Sequence, residues 1–196
     1  MVAYIFDKML VQGVRSGQIP ARTQKSRDWF RDKAKNTRSV TPTKLMKEDV
    51  SRFVNRATIG KMYHFYYDPK HKKTLPYYDT FPLIFKVKNV PNGFLGINLH
   101  YLPLRQRAVL MDALYDLTTN TKYDETTKLR ISYDILNGAA KYKWFKPTLK
   151  MYLNKHVRSR FLEINSVEWD MALFLPTERF KKSNKQSVWK DSRQMV

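Results

Sequence analysis

Three short runs near the middle of the chain alternate between apolar and polar positions, as β-strands do. They span residues 61–68, 81–88 and 94–100, are rich in aromatic and β-branched side chains, and are bounded by turn-forming residues. The second and third runs are joined by a segment that ends in Asn-Gly, a hairpin signal. We therefore expect an α+β fold, with a small antiparallel sheet or SH3-like half-barrel flanked by helices. Pro82, at the start of the second run, predicts an edge strand.

Apolar residues at helical spacing precede the predicted sheet. They predict helices over 1–13, 26–35 and 42–55, the second capped by Ser26 and the third beginning at Pro42. In the second helix the apolar side chains face inward, and the basic ones are expected outside. We interpret residues 1–60 as a basic helical arm that packs against the sheet or another subunit.

Helical spacing returns after the sheet. Pro103 begins a strongly periodic helix, and Asp124 and Ser166 are the expected caps of two more, over 125–140 and 167–175. A further helix is predicted over 148–161. These elements complete a core domain of residues 61–180, followed by a polar tail of residues 181–196 with Val188 and Trp189 as apolar anchors.

Composition narrows the class of protein. Of the 196 residues, 42% are hydrophobic and 14% aromatic, which indicates a folded chain and excludes a disordered basic tail. The net charge of +20 favours a polyanionic partner, either a nucleic acid or an acidic protein. The absence of cysteine excludes disulfides and thiolate chemistry. Asp7 and Lys8 interrupt a short N-terminal apolar run, so we expect no signal peptide and no membrane partner.

The positive charge is concentrated in two blocks. Residues 1–60 hold 13 basic and 5 acidic residues, and residues 141–160 hold 7 basic and none acidic. Residues 102–140 between them are neutral, with 5 of each. Balanced charge is typical of a solvated surface, whereas blocks of one sign indicate a binding face.

Within these blocks, basic residues alternate with aromatic ones, a pattern suited to phosphates and unpaired bases. Trp144 and Phe145 lie among three lysines, and residues 150–160 form a positive ridge if they are helical. The alternatives are a buried aromatic pair under a solvated lysine fringe, a solubilising face, and docking on an acidic subunit. The candidate DNA-binding residues are Arg27, Arg31, Lys33, Lys35, Lys141, Lys143, Trp144, Lys146, Lys150, Lys155, Arg158 and Arg160.

Motifs of catalysis are missing from the sequence. It contains no nucleotide-binding glycine loop and no zinc-protease motif, and its four histidines are scattered. His64 and His100 are expected to be structural. Asp68 and Asp79 would be the carboxylates of a nuclease, but turn formation is the favoured interpretation of both. We therefore expect no enzyme activity, no catalytic residues, no metal and no cofactor.

Several long strings resemble a protein family of T-even-type contractile-tailed phages, the DNA end protector. They are PARTQKSRDWFRDKAK, YYDPKHKKTLPYYDTFPLIF, GFLGINLHYLP, NKHVRSRF and LFLPTERF, and the resemblance covers residues 13–193. It implies a late head-completion factor, made in the host cytoplasm and carried in the virion, that binds packaged duplex termini and shields them from exonuclease. The implied role is stoichiometric binding, so no catalytic motif is transferred.

Two function classes follow from these observations. The first is a non-enzymatic virion protein that binds double-stranded DNA at packaged genome ends. The second is a structural adaptor of the phage neck, tail or baseplate whose basic faces contact acidic subunits. In both, the protein is assembled with phage head, neck or tail proteins in a larger complex.

Overall fold

The computed structural model describes residues 4–194 except 21, 39, 49, 119–121 and 140–144. It confirms the predicted α+β class. The α-helices of this part of the chain are α1 (Ile5–Arg15), α2 (Gln24–Lys35), α3 (Pro42–Leu45), α4 (Leu104–Thr118), α5 (Glu125–Ala139), α6 (Trp169–Phe174) and α7 (Lys185–Gln194). The strands are β1 (Phe53–Val54), β2 (Met62–His64), β3 (Tyr78–Asp79), β4 (Leu83–Val90), β5 (Gly93–Asn98), β6 (Leu149–Leu153), β7 (Phe161–Ile164) and β8 (Phe180–Lys181).

Six strands form one antiparallel sheet in the order β1-β7-β2-β4-β5-β6, and β3 pairs with β8 in a two-stranded ribbon. A single 3-10 turn, Asn154–His156, leads from the edge strand β6 toward β7. The chain beyond β2 bonds to the end of this connection, because Tyr67 pairs with Val157 and the Arg158 N–H donates to the Tyr66 carbonyl at 2.8 Å. The sheet is therefore strongly curled, as the sequence pattern indicated, while its likeness to an SH3 barrel stays a prediction.

The two faces of the sheet have separate cores. On one face, Leu83, Phe85 and Ile97 pack under the helices in a large hydrophobic cluster that includes Phe6 and Phe30 of α1 and α2. The other face lies inside the curl and holds a second cluster, which we call the aromatic core; it contains Tyr63, Phe65, Tyr67, Phe94, Tyr152 and Phe161. Residues at alternating strand positions belong to the two clusters, so both faces of the central strands β2 and β5 are largely buried.

The N-terminal helices belong to the main hydrophobic cluster. Gly13 of α1 sits against the ring of Phe30, where an added Cβ would lie 2.2 Å from the ring carbon Cζ. Close packing of α1 on α2 therefore requires glycine at this position. The boundaries of the predicted arm, core domain and tail stay a prediction, although Val188 and Trp189 do anchor the tail: Val188 is buried, and the Trp189 indole donates to the His100 carbonyl.

Three predicted elements are wrong. Residues 148–161 form β6, a 3-10 turn and the start of β7 instead of a helix. The helix that begins at Pro42 ends at Leu45, and β1 follows. Pro82 precedes β4, which lies between β2 and β5 and is not an edge strand.

Of the three predicted helix caps, one is confirmed and two are wrong. The Asp124 side chain accepts from the Thr127 N–H at 2.6 Å, as predicted. Thr23 instead of Ser26 caps α2, and Asn165 instead of Ser166 forms a capping box ahead of α6. Ser26 is buried and donates to a glutamine, so its hydroxyl has a tertiary partner.

Candidate nucleic-acid interface

Exposed cations from three segments of the chain meet beside the curled sheet. The segments are the loop between β2 and β3, the β6–β7 connection, and the end of β8. We call this surface the basic rim; its members are Lys70, Lys72, Lys73, Lys155, Arg158, Arg160, Lys181 and Lys182, all exposed. These residues are far apart in sequence, so only the fold brings them together.

Asp68 joins the first two segments of the basic rim. Its carboxylate lies 2.8 Å from the Lys72 ammonium and 3.7 Å from the Arg158 guanidinium. Its carbonyl oxygen lies 2.8 Å from Nδ1 of His156. The hydrogen bond from Lys72, with the nearby charge of Arg158, lowers the pKa of Asp68. Asp68 stays ionised near neutral pH and holds two rim cations in place.

Lys182 joins the third segment to the first. Its ammonium donates to the carbonyl oxygens of Lys73 and Leu75, at 2.9 and 3.0 Å. Lys182 itself has a positive φ of 64°, in the left-handed region that non-glycine residues rarely adopt. The acceptors are neutral carbonyls, so the contact fixes the side chain while its charge stays available to a polyanion.

A polar cleft of about 680 Å³ opens where the β6–β7 connection faces the β4–β5 hairpin. Arg56, Lys86 and Asn154 line it together with Phe94 of the aromatic core. Lys86 is buried; its ammonium donates to the Ala57 carbonyl at 2.6 Å and lies 5.3 Å from the centroid of the Phe94 ring. The hydrogen bond holds the segment around Ala57 on the sheet, and burial lowers the pKa of Lys86.

Two predicted DNA-binding residues lie inside the protein. Arg27 and Arg31 of α2 are only 1% and 6% exposed. Both donate to the Asp170 carboxylate of α6, at 2.9 and 2.7 Å, and both contact Asp112 of α4. Predicting them on the outside of the helix was wrong, because their charges are used to join three helices.

The other predicted residues are divided between several surfaces. Lys33 and Lys35 are exposed on the outer side of α2, and Lys33 lies 5.3 Å from the Trp29 ring centroid. Lys146 is exposed in the 3-10 turn just before β6, and Lys150 is half-buried beside a tyrosine ring. Lys155, Arg158 and Arg160 belong to the basic rim. Lys141, Lys143 and Trp144 lie outside the described residues.

Sequence reasoning missed five members of the basic rim: Lys70, Lys72, Lys73, Lys181 and Lys182. The first three stand in an obvious lysine-rich loop, which was a usable signal. The last two come from the predicted tail. Nothing local relates them to the loop, because their proximity results from the β3–β8 pairing, in which Tyr78 lies opposite Lys181.

One buried network has the arrangement of a catalytic triad, and its three polar groups are already bonded to one another. Nδ1 of His100 lies 2.6 Å from Asp79, and its Nε2 lies 3.0 Å from the Thr177 hydroxyl. All three residues are buried, and Asp79 also accepts from the Phe81 N–H. Burial opposes ionisation, but His100 and these donors lower the pKa of Asp79. The network supports the turn before β4, as expected for Asp79 and His100.

The carboxylates of the nuclease interpretation do not meet. Asp79 is bound to His100, whereas Asp68 is bound to the basic rim. Within the described ranges, no group of three or more histidine, aspartate or glutamate residues is placed to hold a metal ion. None of the described helices is both long and apolar enough to cross a membrane.

Comparison with known proteins adds one finding. A family model described as Phage T4 terminal DNA protecting protein matches residues 4–192. No curated protein and no solved structure matches the chain significantly. The family match spans α1 to α7, so it includes both basic blocks and the whole sheet. It confirms the resemblance drawn from the sequence strings.

Proposed function

Because this chain belongs to the phage T4 terminal DNA protecting protein family, we propose that it binds duplex ends of phage DNA and shields them without performing chemistry. The basic rim is the surface that meets the phosphates. The single observation that supports this assignment is that eight exposed cations lie on three distant segments that the fold joins. Asp68 pairs with Lys72 and Arg158, and Lys182 donates to the Lys73 carbonyl. A solvated surface of mixed charge would not need that arrangement.

The members of the basic rim suit a phosphate backbone in two ways. Lys72, Lys155 and Lys182 supply compact positive charge, and Arg158 and Arg160 supply planar guanidinium groups that bind phosphate bidentately. Arg160 also donates to the carbonyl of Phe53, and Lys182 is fixed by two carbonyls. Partial preorganisation of this kind lowers the entropy lost on binding.

Among the sequence-predicted residues, we propose Lys155, Arg158 and Arg160 as primary contacts, with Lys146 and Lys150 beside them. Lys33 and Lys35 of α2 remain secondary contacts. Arg27 and Arg31 are omitted because their guanidinium groups are already paired inside the protein. A protein at packaged genome termini resides in the virion and completes the head, so we propose head and neck proteins as its neighbours.

Binding measured across a salt series tests the proposal. We expect the wild-type protein to bind linear duplex DNA and to slow its digestion by an end-dependent exonuclease. The triple variant K155A/R158A/R160A should lose three phosphate contacts. Its slope of log affinity against log salt concentration should then flatten by about 0.9 per contact.

A matched control removes three exposed lysines elsewhere, K8A/K47A/K190A. It lowers net charge equally and should change the slope by less than one contact. Equal slopes in the two triple variants would show that net charge, not the basic rim, causes binding. Weak, salt-insensitive binding by the wild type, combined with co-purification of a ring of acidic subunits, would support the neck or tail adaptor instead.

A further inference from the structure

A second cavity lies beside the basic rim and differs from it in chemistry. It has a volume of about 500 Å³ and is lined mainly by aromatic and apolar side chains. Lys70 and His71 stand among its lining residues, so it shares the β2–β3 loop with the basic rim. Its volume is within the range that holds a nucleotide-sized ligand.

Two packed pairs of tyrosines line this cavity. The Tyr77 and Tyr101 ring centroids are 6.0 Å apart, and those of Tyr67 and Tyr152 are 4.9 Å apart. Phe180 of β8 supports the first pair, with its ring edge-on to Tyr101 at 5.1 Å. Tyr67, Tyr101 and Tyr152 are buried, whereas Tyr77 is half-buried. Tyr77 is therefore the ring of these pairs with surface left on which a base can stack.

The polar groups on the floor of the cavity already have hydrogen-bond partners. The Asn98 amide donates to Asp79 and to the Tyr152 hydroxyl, at 3.2 and 3.1 Å. Nδ1 of His100 lies 2.6 Å from the Asp79 carboxylate. The cavity is therefore preformed and does not require rearrangement of its polar groups.

Lys150 is the feature that points to an anionic ligand. It projects from β6 into the cavity lining, with its ammonium 4.1 Å from the Tyr101 ring centroid. Within the described part of the chain, none of the carboxylates forms an ion pair with it. Partial burial lowers its pKa to about 8, so it is mostly charged at neutral pH yet poorly hydrated. A phosphate would replace the hydration that this ammonium has lost.

We propose that this tyrosine cavity binds the unpaired terminal nucleotide of a DNA end, with its base on the Tyr77 ring and its phosphate at Lys150 and Lys70. The inference rests on the proposed function and adds a reason for end specificity. A phosphate-binding surface cannot distinguish an end from the middle of a duplex. A cavity for an unpaired base can, because an interior base must first be unstacked at a cost of a few kcal/mol.

Three short duplexes of one sequence test this proposal. The first has blunt ends, the second carries one unpaired nucleotide at each end, and the third has its terminal base pairs covalently cross-linked between strands. The third keeps the geometry of a duplex end but cannot present an unpaired base. We expect the wild-type protein to prefer the overhang to the cross-linked end by about tenfold, the range of one stacked base.

Variants of the cavity should remove this preference specifically. Y77L removes a stacking plate while keeping an apolar side chain, and K150Q removes the cation. Each should bring the overhang to cross-link ratio close to one. Y77L should leave affinity for the cross-linked duplex nearly unchanged, whereas K150Q also removes a proposed phosphate contact and should weaken binding to all three duplexes as well. K88Q, which removes an exposed lysine on β4, is the charge-matched control and should keep the ratio. If Y77L fails to fold, L75W fills the cavity from the loop side and should act in the same way.

The outcomes separate this proposal from the proposed function. Equal wild-type affinity for all three duplexes, with a steep salt dependence, would overturn the tyrosine cavity and leave DNA binding intact. Proportional weakening of all three duplexes by Y77L and K150Q would overturn it as well. If the wild type binds none of the three duplexes, the proposed function is wrong, and the tyrosine cavity proposal that rests on it is overturned as well.

Discussion

Two basic segments of this protein are used in opposite ways. In α2, Arg27 and Arg31 are buried and paired with carboxylates of α4 and α6. In the β6–β7 connection, Lys155 and Arg158 remain exposed, with Asp68 as the nearby acid. The sequence pattern predicts a basic ridge for both segments. The position of carboxylates that are distant in the chain decides which cations stabilise the fold and which stay available to a partner.

The difference has an energetic cause. Removing a guanidinium from water costs several kcal/mol, which only close carboxylates and well-placed hydrogen bonds offset. Asp170 meets this requirement for both arginines of α2, with two oxygens at 2.7 to 2.9 Å. The planar guanidinium suits such shared pairing better than an ammonium does. Lysines of the same helix, Lys33 and Lys35, accordingly point to solvent.

The largest expected effect comes from removing the shared acid. The variant D170A leaves two buried guanidinium groups with only Asp112 as a common partner, and should lower the free energy of unfolding by about 3–5 kcal/mol. The free energy of unfolding is measured by denaturant titration. D28A is the matched control, because Asp28 also contacts Arg31, at 3.4 Å, but is exposed. A loss below about 1 kcal/mol in D170A, similar to that of a surface pair, would contradict the structural role of the α2 arginines.

A smaller effect is expected at a buried acid of the N-terminal region. Glu48 accepts from the Ile5 N–H at 2.7 Å through Oε1, while Oε2 lacks a hydrogen-bond partner among the described residues. Burial raises its pKa from 4.5 to about 7, and the charges of Asp7 and Glu168 add to the increase. Because the pKa of Glu48 is higher in the folded than in the unfolded state, protonated Glu48 favours folding. That contribution to stability is fully present below pH 4.5 and is lost as pH rises through 7.

The variant E48Q should therefore stabilise the protein above pH 7 by about 1–3 kcal/mol and change little near pH 4.5. Unfolding measured at both pH values checks this. E163Q, at a half-buried pair with Lys61, is the control and should show no comparable dependence on pH. A uniform effect of E48Q at every pH would show that packing rather than ionisation is responsible.

The smallest expected effect concerns the exposed cations of the basic rim. D68N removes the carboxylate of the basic rim and releases Lys72 and Arg158. DNA affinity at low salt should rise by about two- to fivefold, the range of an exposed ion pair, and thermal stability should change little. Weaker DNA binding in D68N would mean that Asp68 is needed to position the rim cations more than it screens them.

The elements that sequence reasoning predicted well are those whose local signals agree. Helix α4 follows Pro103 with a long apolar stripe, and the β4–β5 hairpin turns at Asn92, which has a positive φ of 62°. Residues 149–157 were ambiguous: Leu149, Tyr152 and Leu153 fit a helical stripe, while alternate residues equally fit a strand. Pairing with β5 decided the outcome, because Leu149 lies opposite Ile97 and Tyr152 opposite Phe94.

The sequence by itself determined the α+β class, the excess of positive charge, the lack of thiol chemistry and, through its long strings, the family. It could not show that Arg27 is buried, that Lys182 joins Lys73, or that five tyrosines from four segments line one cavity. Local periodicity depends on neighbours along the chain. Exposure and charge pairing depend on residues up to 143 positions away, as between Arg27 and Asp170, so only the tertiary structure decided them.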